Sequence, residues 1–315
     1  MPGLWISMGV IAALLVATLG IAYWCYRQAF YFSDADKHVD PRRFFGAKNS
    51  EFCHRPMLEL VDALEAVPFE RVCITSRDGL RLYGRLYRFS ERNRVEILFH
   101  GWRSSGIRDA SGGAKIARDT GYNLLIVDQR AHGDSEGNTI TFGILEKYDC
   151  IDWVRFVVSR FGEDVQILLG GVSMGAATVF MAAGLDELPP QVVAVTGDCG
   201  YSSPEAIIRK VCRDRGIPDR LGYPFLALGA RLFGHFSLKD GGAVEAVTHT
   251  KIPVMIMHGE ADDFVPFEMC REIYNACASE KKLLAIPNAG HGLAYFYDTD
   301  RYVSEVAAFK KQAFK

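Results

Sequence analysis

The sequence has few of the features that would tie it to a metal, a nucleic acid or a disulfide scaffold. Its eight cysteines, Cys25, Cys53, Cys73, Cys150, Cys199, Cys212, Cys270 and Cys277, are scattered over 315 residues and form no CxxC pair. Disulfide frameworks are dense in short chains, so free thiols packed as small hydrophobes are expected instead. Long runs of like charge are also absent. With 36 basic and 38 acidic residues the net charge is −2, which gives no support for nucleic-acid binding. There is no HExxH pair, no P-loop and no other cluster of ligand spacing, so neither a metal nor a cofactor is expected. No internal repeat points to a solenoid. What remains is ordinary globular composition, 49% hydrophobic and 23% charged. Beyond an N-terminal extension, the chain is long enough for one large α/β domain that buries its own core.

Charge is missing altogether from residues 4–24, LWISMGVIAALLVATLGIAYW. About 20 apolar residues suffice to span a bilayer as a helix. Trp5 at one end and Tyr23, Trp24 and Tyr26 at the other stand where amphipathic rings favour the interface. A cleaved signal peptide would carry a basic start, a shorter apolar core and a small-residue cleavage site. Here no Lys or Arg precedes the stretch, and it runs directly into bulky aromatics. A retained single-pass anchor over residues 1–26 is therefore expected. Arg27, Lys37, Arg42 and Arg43 follow it, so the positive-inside rule puts the rest of the chain on the cytoplasmic side. Unpatterned cysteines agree with a reducing compartment.

Residues 27–69 read as a helical connector of mixed charge, and residues 70–315 as the globular domain. ERVCITS (70–76) and LRLYGRLYRF (80–89) flank an Asp-Gly step, the signal of a β-hairpin. Short apolar runs then alternate with helical patterns. Strands are expected at VEILFHG, NLLIVD, VQILLGG, QVVAVTGD, IPVMIMHG and KKLLAIP. This rhythm predicts an α/β fold whose mainly parallel sheet is covered by helices on both faces, with an antiparallel N-terminal hairpin. Residues 200–248 break the rhythm with Pro204, Pro218, Pro224 and several aromatics. The stretch is too long for a loop and too apolar for a linker, so it reads as a helical cap over the sheet.

Gly171-Val172-Ser173-Met174-Gly175 is a GxSxG. Chance alone supplies about one such pentapeptide in seven chains of this composition, so position matters more than pattern. It lies between a strand pattern and a helix pattern, where a sharp turn would expose the Ser173 hydroxyl and small flanking residues would let the backbone bend. A serine hydroxyl needs a base. His291 stands between two glycines after KKLLAIP and is the candidate; Asp262, after IPVMIMHG, is the candidate acid that orients it. Asp263 and Asp198 are the alternatives for the acid. Backbone N–H donors for a developing oxyanion are expected from Met174 and from Trp102, in the loop after VEILFHG.

Together LFHGWRSSG, VDQRAHGDSEG, GGVSMGA, HGEADDFVP and the Gly290-His291-Gly292 loop resemble the α/β-hydrolase serine hydrolases. More narrowly they look like the membrane-anchored branch grouped with esterases, lipases and serine aminopeptidases. The resemblance covers roughly residues 70–312. It implies the α/β-hydrolase fold, and it supports Asp262 as the Asp of a D-x-x-V-P. Ala131 departs from the family's usual D-x-R-G-x-G-x-S loop, where glycine is common. Asp128, Arg130 and His132 of that loop read as scaffold. Aromatics in the cap and in Tyr295-Phe296-Tyr297 suggest an apolar pocket wall. The expected function is cleavage of carboxylic esters or thioesters with an apolar acyl group by a Ser-His-Asp acyl-enzyme route. The expected substrate is a small-molecule or lipid-derived ester. A serine aminopeptidase is the alternative, with Glu205, Asp214 or Asp219 holding a free amine. A non-catalytic binding protein on the same fold is the alternative of another class.

Overall fold

The computed structural model describes residues 2–44 and 50–313. Residues 45–49 of the expected connector, and the outermost residues of the anchor and globular segments, lie outside the described residues. An N-terminal helix, α1 (Pro2–Ala29), is followed by α2 (His54–Glu65) and the strands β1 (Glu70–Thr75), β2 (Arg81–Tyr87) and β3 (Arg94–Phe99). Then come α3 (Gly106–Thr120), β4 (Asn123–Val127), α4 (Glu146–Phe161), β5 (Gln166–Val172), α5 (Met174–Ala183) and β6 (Val192–Asp198). Three helices interrupt the alternation: α6 (Pro204–Asp214), α7 (Asp219–Phe233) and α8 (Ala243–Val247). The chain closes with β7 (Val254–Gly259), α9 (Phe267–Ala276), β8 (Lys281–Ile286), α10 (Ala294–Tyr297) and α11 (Thr299–Ala313).

The eight strands form one sheet in the order β1-β2-β4-β3-β5-β6-β7-β8. β1 and β2 are the expected antiparallel hairpin, turned at Gly79 with φ +91°. From β4 to β8 all neighbours are parallel. Strands buried on both faces read as near-continuous apolar runs, and β4 and β7 have no exposed residue. Alternate side chains feed two cores. Ile97, Leu125, Ile167 and Val195 pack under α4, α5, α8 and α9, while Leu98, Leu124, Leu168 and Ala194 pack under α2, α3 and α11. One buried charge joins the second core: Lys310 Nζ lies 2.5 Å from Glu96 Oε2 in the middle of β3.

A third core sits above the sheet. There Tyr201, Ile207, Tyr223 and Ala230 of the cap pack with Phe142, Met174 and the N-terminal Tyr26, Phe30 and Phe32. Among the described residues one helix is long and apolar enough to cross a membrane by length and composition, Ser7–Ala29 within α1. Helix α1 passes residue 26 without a break. Its last turns lie on α7, and the chain beyond it pairs Tyr31 with Thr139 as an isolated bridge. Phe30 and Phe32, inside the expected connector, are buried in this third core. Aromatic burial under the cap overrides the polar composition.

Candidate active site

Parallel sheets of this kind gather their loops at the carboxyl ends of the strands. Ser173 follows β5 directly and caps α5 with φ +54° and ψ −113°, a region L-residues rarely occupy. The neighbouring glycines allow it. A Cβ on Gly171 would lie 2.3 Å from the Gly175 carbonyl, and one on Gly175 would lie 2.0 Å from the Phe99 oxygen. Helix α5 therefore packs against the end of β3 with no room for a methyl group.

Asp262 follows β7 and His291 follows β8. The imidazole bridges the other two residues: Nε2 is 2.9 Å from Ser173 Oγ and Nδ1 is 2.7 Å from Asp262 Oδ2. Of the candidate acids, only Asp262 meets His291. Asp263 is exposed, and its carbonyl accepts from Lys210. The Asp198 carboxyl accepts from the Tyr302 hydroxyl at 3.0 Å, and burial pushes it up. The Asp198 backbone oxygen instead receives the Ser173 N–H at 2.8 Å, which helps fix the turn.

Asp262 is saturated with donors. Oδ1 accepts the N–H groups of Phe264 (3.0 Å) and Val265 (2.8 Å). Oδ2 accepts from His291 and lies 3.2 Å from Nε2 of a second imidazole, the fully buried His258. Burial alone would raise the Asp262 carboxyl, but the bonds from His258 and His291 outweigh it and hold it at about 2. Burial likewise opposes charge on His258, and Asp262 with Cys270 overcomes it, raising the imidazole to about 10. Sequence reasoning gave His258 no role, because it is the last side chain before Gly259 in a fully buried strand and reads as core. Cys199, Asp262 and His291 bring ligand-type atoms within 4.8 Å of one another, but two of these atoms already bond each other.

The loop after β3 is held from two sides. Asp109 Oδ2 accepts the Gly101 N–H at 2.8 Å, and His132 Nε2 accepts the Arg103 N–H at 3.0 Å. Trp102, between them, lines the cleft that also holds Ser173 and His291. Met174 N–H opens α5, one of the four helical N–H groups with no intrahelical acceptor. Burial would raise Asp109, but Arg108, Ser104 and the Gly101 N–H outweigh it and keep it ionised. Its place in the first turn of α3 gave no signal in the sequence. His100 is spent on Gly101 O and the Gln129 N–H. Arg130 binds Asp149 and Asp78, and His132 also contacts Arg130 O. Ala131 keeps the left-handed backbone at φ +64° despite its methyl group.

The cleft encloses about 990 Å³. Val39, Phe44, Met57, Phe264, Leu293 and Phe296 give it apolar wall, and Phe264 meets the His291 ring edge to face at 5.0 Å. Arg27, Gln28, Tyr31 and Phe32, at the end of α1 and just beyond, supply another wall. Trp102 Nε1 donates to Ala29 O at 3.2 Å, and Arg103 Nη2 donates to Gln28 O and Tyr31 O at 3.0 and 2.8 Å. The terminal carbonyls of α1 are thus capped by side chains of the loop beside Ser173.

A mostly parallel eight-stranded sheet with a serine on the turn from β5 to α5, and a histidine and an aspartate converging from later strand ends, defines an α/β-hydrolase architecture. The sequence model of the alpha/beta hydrolase family matches residues 97–306, and the chain belongs to that family. It is similar to the uncharacterized protein YqkD of Bacillus subtilis, 25% identical over 61% of this chain and 63% of that protein. It is also similar to the lysophosphatidylserine lipase ABHD12 of Danio rerio, 27% identical over 54% of this chain and 43% of the lipase. The chain thus spans less than two thirds of the length of these two relatives. Among solved structures, the Pyrococcus furiosus esterase Pf2001 superposes with a TM-score of 0.64 at 22% identity, covering 88% of this chain and 98% of the esterase.

Proposed function

We propose that the protein is a serine hydrolase that cleaves carboxylic esters or thioesters bearing an apolar acyl group. The observation that carries this reading is the unbroken line from Ser173 Oγ through the His291 ring to Asp262, 2.9 and 2.7 Å. With Nδ1–H donated to Asp262, Nε2 is free to accept the Ser173 proton. Ser173 Oγ then attacks the acyl carbon. The Met174 and Trp102 N–H groups face the oxygen that gains charge. Collapse breaks the bond to the alcohol or thiol, which leaves with the proton from His291. Water repeats the sequence on the acyl-enzyme and releases the acid. No proton need rest on Asp262, which the Phe264 and Val265 N–H groups, His291 and the nearby His258 keep a carboxylate.

The apolar lining of the cleft favours an acyl chain. The aminopeptidase alternative loses its amine-binding candidates: Glu205 pairs with Arg209, Asp214 with Lys210, and Asp219 with Arg209 and Arg213 on the cap itself. Names among the relatives point the same way, since one is a lipase and the fold neighbour an esterase. Helix α1 is read as a membrane anchor, with the basic residues after it placing the catalytic body on the cytoplasmic side. Protease added to sealed cells should then spare that body.

A fluorophosphonate probe tests the nucleophile. The wild-type protein should label and the Ser173→Ala variant should not; a variant that labels as well as wild type would overturn the assignment. Medium-chain p-nitrophenyl esters should be turned over in preference to aminoacyl anilides.

A further inference from the structure

Helix α7 of the cap is apolar on two opposite faces. At 3.6 residues per turn, Leu221, Phe225, Leu228 and Leu232 (i, i+4, i+7, i+11) share one stripe. Tyr223 and Ala230 stand on the far side and are buried in the core beneath the cap. Core packing accounts for that inner face only. The outer stripe stays open: Leu221 is 60% and Leu232 43% exposed, and Ile217 just before the helix is 42% exposed.

What flanks the stripe is ordered. On one side is α1. A Cβ on Gly229 would lie 2.4 Å from Ala22 O, so the two helices touch backbone to backbone, and Phe233 meets Tyr23 edge to face at 5.1 Å. On the other side, Arg220 and Arg231 are exposed. Residues 204–233 as a whole carry six basic and three acidic side chains in a chain of net charge −2. Apolar surface on α1 continues past the contact, with Ile21 45%, Tyr23 46% and Trp24 59% exposed.

Length decides what covers this face. A bilayer core takes about 20 helical residues. No charge appears before Arg27, so the uncharged run overlaps the cap contact at Ala22 and Tyr23. Inserting the full run in a bilayer brings α7 down to the membrane surface. We propose that α7 is a second membrane-contacting element, lying in the interface beside α1. Its Leu221–Leu232 stripe meets the acyl region, and Arg220 and Arg231 meet anionic head groups. The cleft, walled by the end of α1, then opens at that same surface. The ester substrate is therefore a bilayer-resident amphiphile rather than a freely dissolved ester. The inference rests on the anchor reading of α1 and, for its substrate part, on the proposed hydrolase activity.

The test uses full-length protein reconstituted in phosphatidylcholine vesicles containing phosphatidylglycerol. In a Cys73→Ser background, which removes the exposed thiol, nitroxide labels are placed at Leu221→Cys, Leu232→Cys and the remote Ser159→Cys. Positions 221 and 232 should be open to oxygen and shielded from a water-soluble nickel chelate; position 159 should show the reverse. Labels at 221 and 232 that respond like 159 would overturn the proposal. Shielding from both reagents would do so too, because it would mean that a second copy of the chain covers the face. Protein that leaves the vesicles in alkaline carbonate would refute the anchor, and this proposal with it. A separate arm measures turnover. Leu221→Ser/Leu232→Ser should lower hydrolysis of a vesicle-embedded ester about tenfold and leave a short soluble p-nitrophenyl ester unchanged. Equal loss on both substrates would overturn the substrate inference. A wild-type protein inactive on every ester would refute the hydrolase reading while leaving the label result to stand on its own.

Discussion

Ser173 holds φ +54° in a turn where its two neighbouring glycines leave no space for a methyl group. Such backbone strain costs about 1–3 kcal/mol and persists only where the surroundings enforce it. Replacement by glycine relieves the strain and replacement by alanine does not. Glycine gives back about 0.5–1 kcal/mol through its freer unfolded chain. Ser173→Gly should therefore be more stable than Ser173→Ala by about 1 kcal/mol in urea unfolding, while both lose fluorophosphonate labelling. Asp262 gives a second test at this scale. Its carboxyl is held at about 2 against an ordinary 3.8, so its stabilising contribution is complete above the unfolded value and is lost as pH falls through about 2. Between pH 2 and 5 the wild-type protein should gain about 2 kcal/mol more stability than Asp262→Asn. Equal slopes for the two proteins would show that the carboxylate is not held by His258 and His291. Ser173, Asp262 and His291 were legible in the sequence because each follows an apolar strand pattern, where loops must carry chemistry. His258 was not, since a histidine inside a buried run looks like core until its partner is known. Ala131 shows a milder mismatch. Relief of its left-handed backbone by glycine would be offset by loss of a buried methyl worth about 0.8 kcal/mol, so alanine can stand there.

At the scale of elements, the loop after β3 matters most. Its Gly101 N–H is fixed by a carboxylate on the first turn of α3, and its Trp102 and Arg103 side chains cap the end of α1. Asp109 touches no reacting atom in the proposed mechanism; it positions the turn that aims the Trp102 N–H. Losing one oxyanion donor costs about 10²–10³ in kcat. Asp109→Ala should thus lower kcat by up to about 10² with KM changed much less, and Asp109→Asn, which keeps an acceptor for Gly101, should recover part of it. A loss confined to KM, or a uniform fall in folded protein, would assign Asp109 to substrate binding or to stability alone. The strands and most helices of the sheet could be read from periodicity because each carries its own pattern. Pairings over long separations could not: Glu96 and Lys310 are 214 residues apart, and nothing near either residue announces a buried ion pair.

For the whole molecule, the question is where the apolar N-terminal helix ends and the folded body begins. Residue 26 seemed a boundary in the sequence, since charge returns at Arg27 and the following segment is polar enough for a connector. In the fold, Phe30 is fully buried, Phe32 and Tyr26 are nearly so, and the Tyr26 hydroxyl lies 2.7 Å from Thr139 Oγ1. The pattern hid this because the partners stand far off in the chain, Thr139 and Phe142 before the cap and Phe233 and Phe236 at the end of α7 and just beyond it, and no local window contains them. Truncating a buried Phe costs about 3–5 kcal/mol, a large share of a typical domain's stability. Two deletions separate the roles. Removing residues 1–21 takes away apolar surface that the body does not use, so the product should fold and hydrolyse a soluble p-nitrophenyl ester within about threefold of wild type, since no cleft group is touched. Removing residues 1–33 opens the core beneath the cap, strips the wall formed by Arg27, Tyr31 and Phe32, and leaves the Trp102 and Arg103 side chains without the α1 carbonyls they cap. Soluble-ester turnover should then fall well over tenfold, with an earlier thermal transition. If the two deletions behave alike, the end of α1 is only a tether; if they diverge as expected, the last turns of α1 belong to the folded body that carries Ser173.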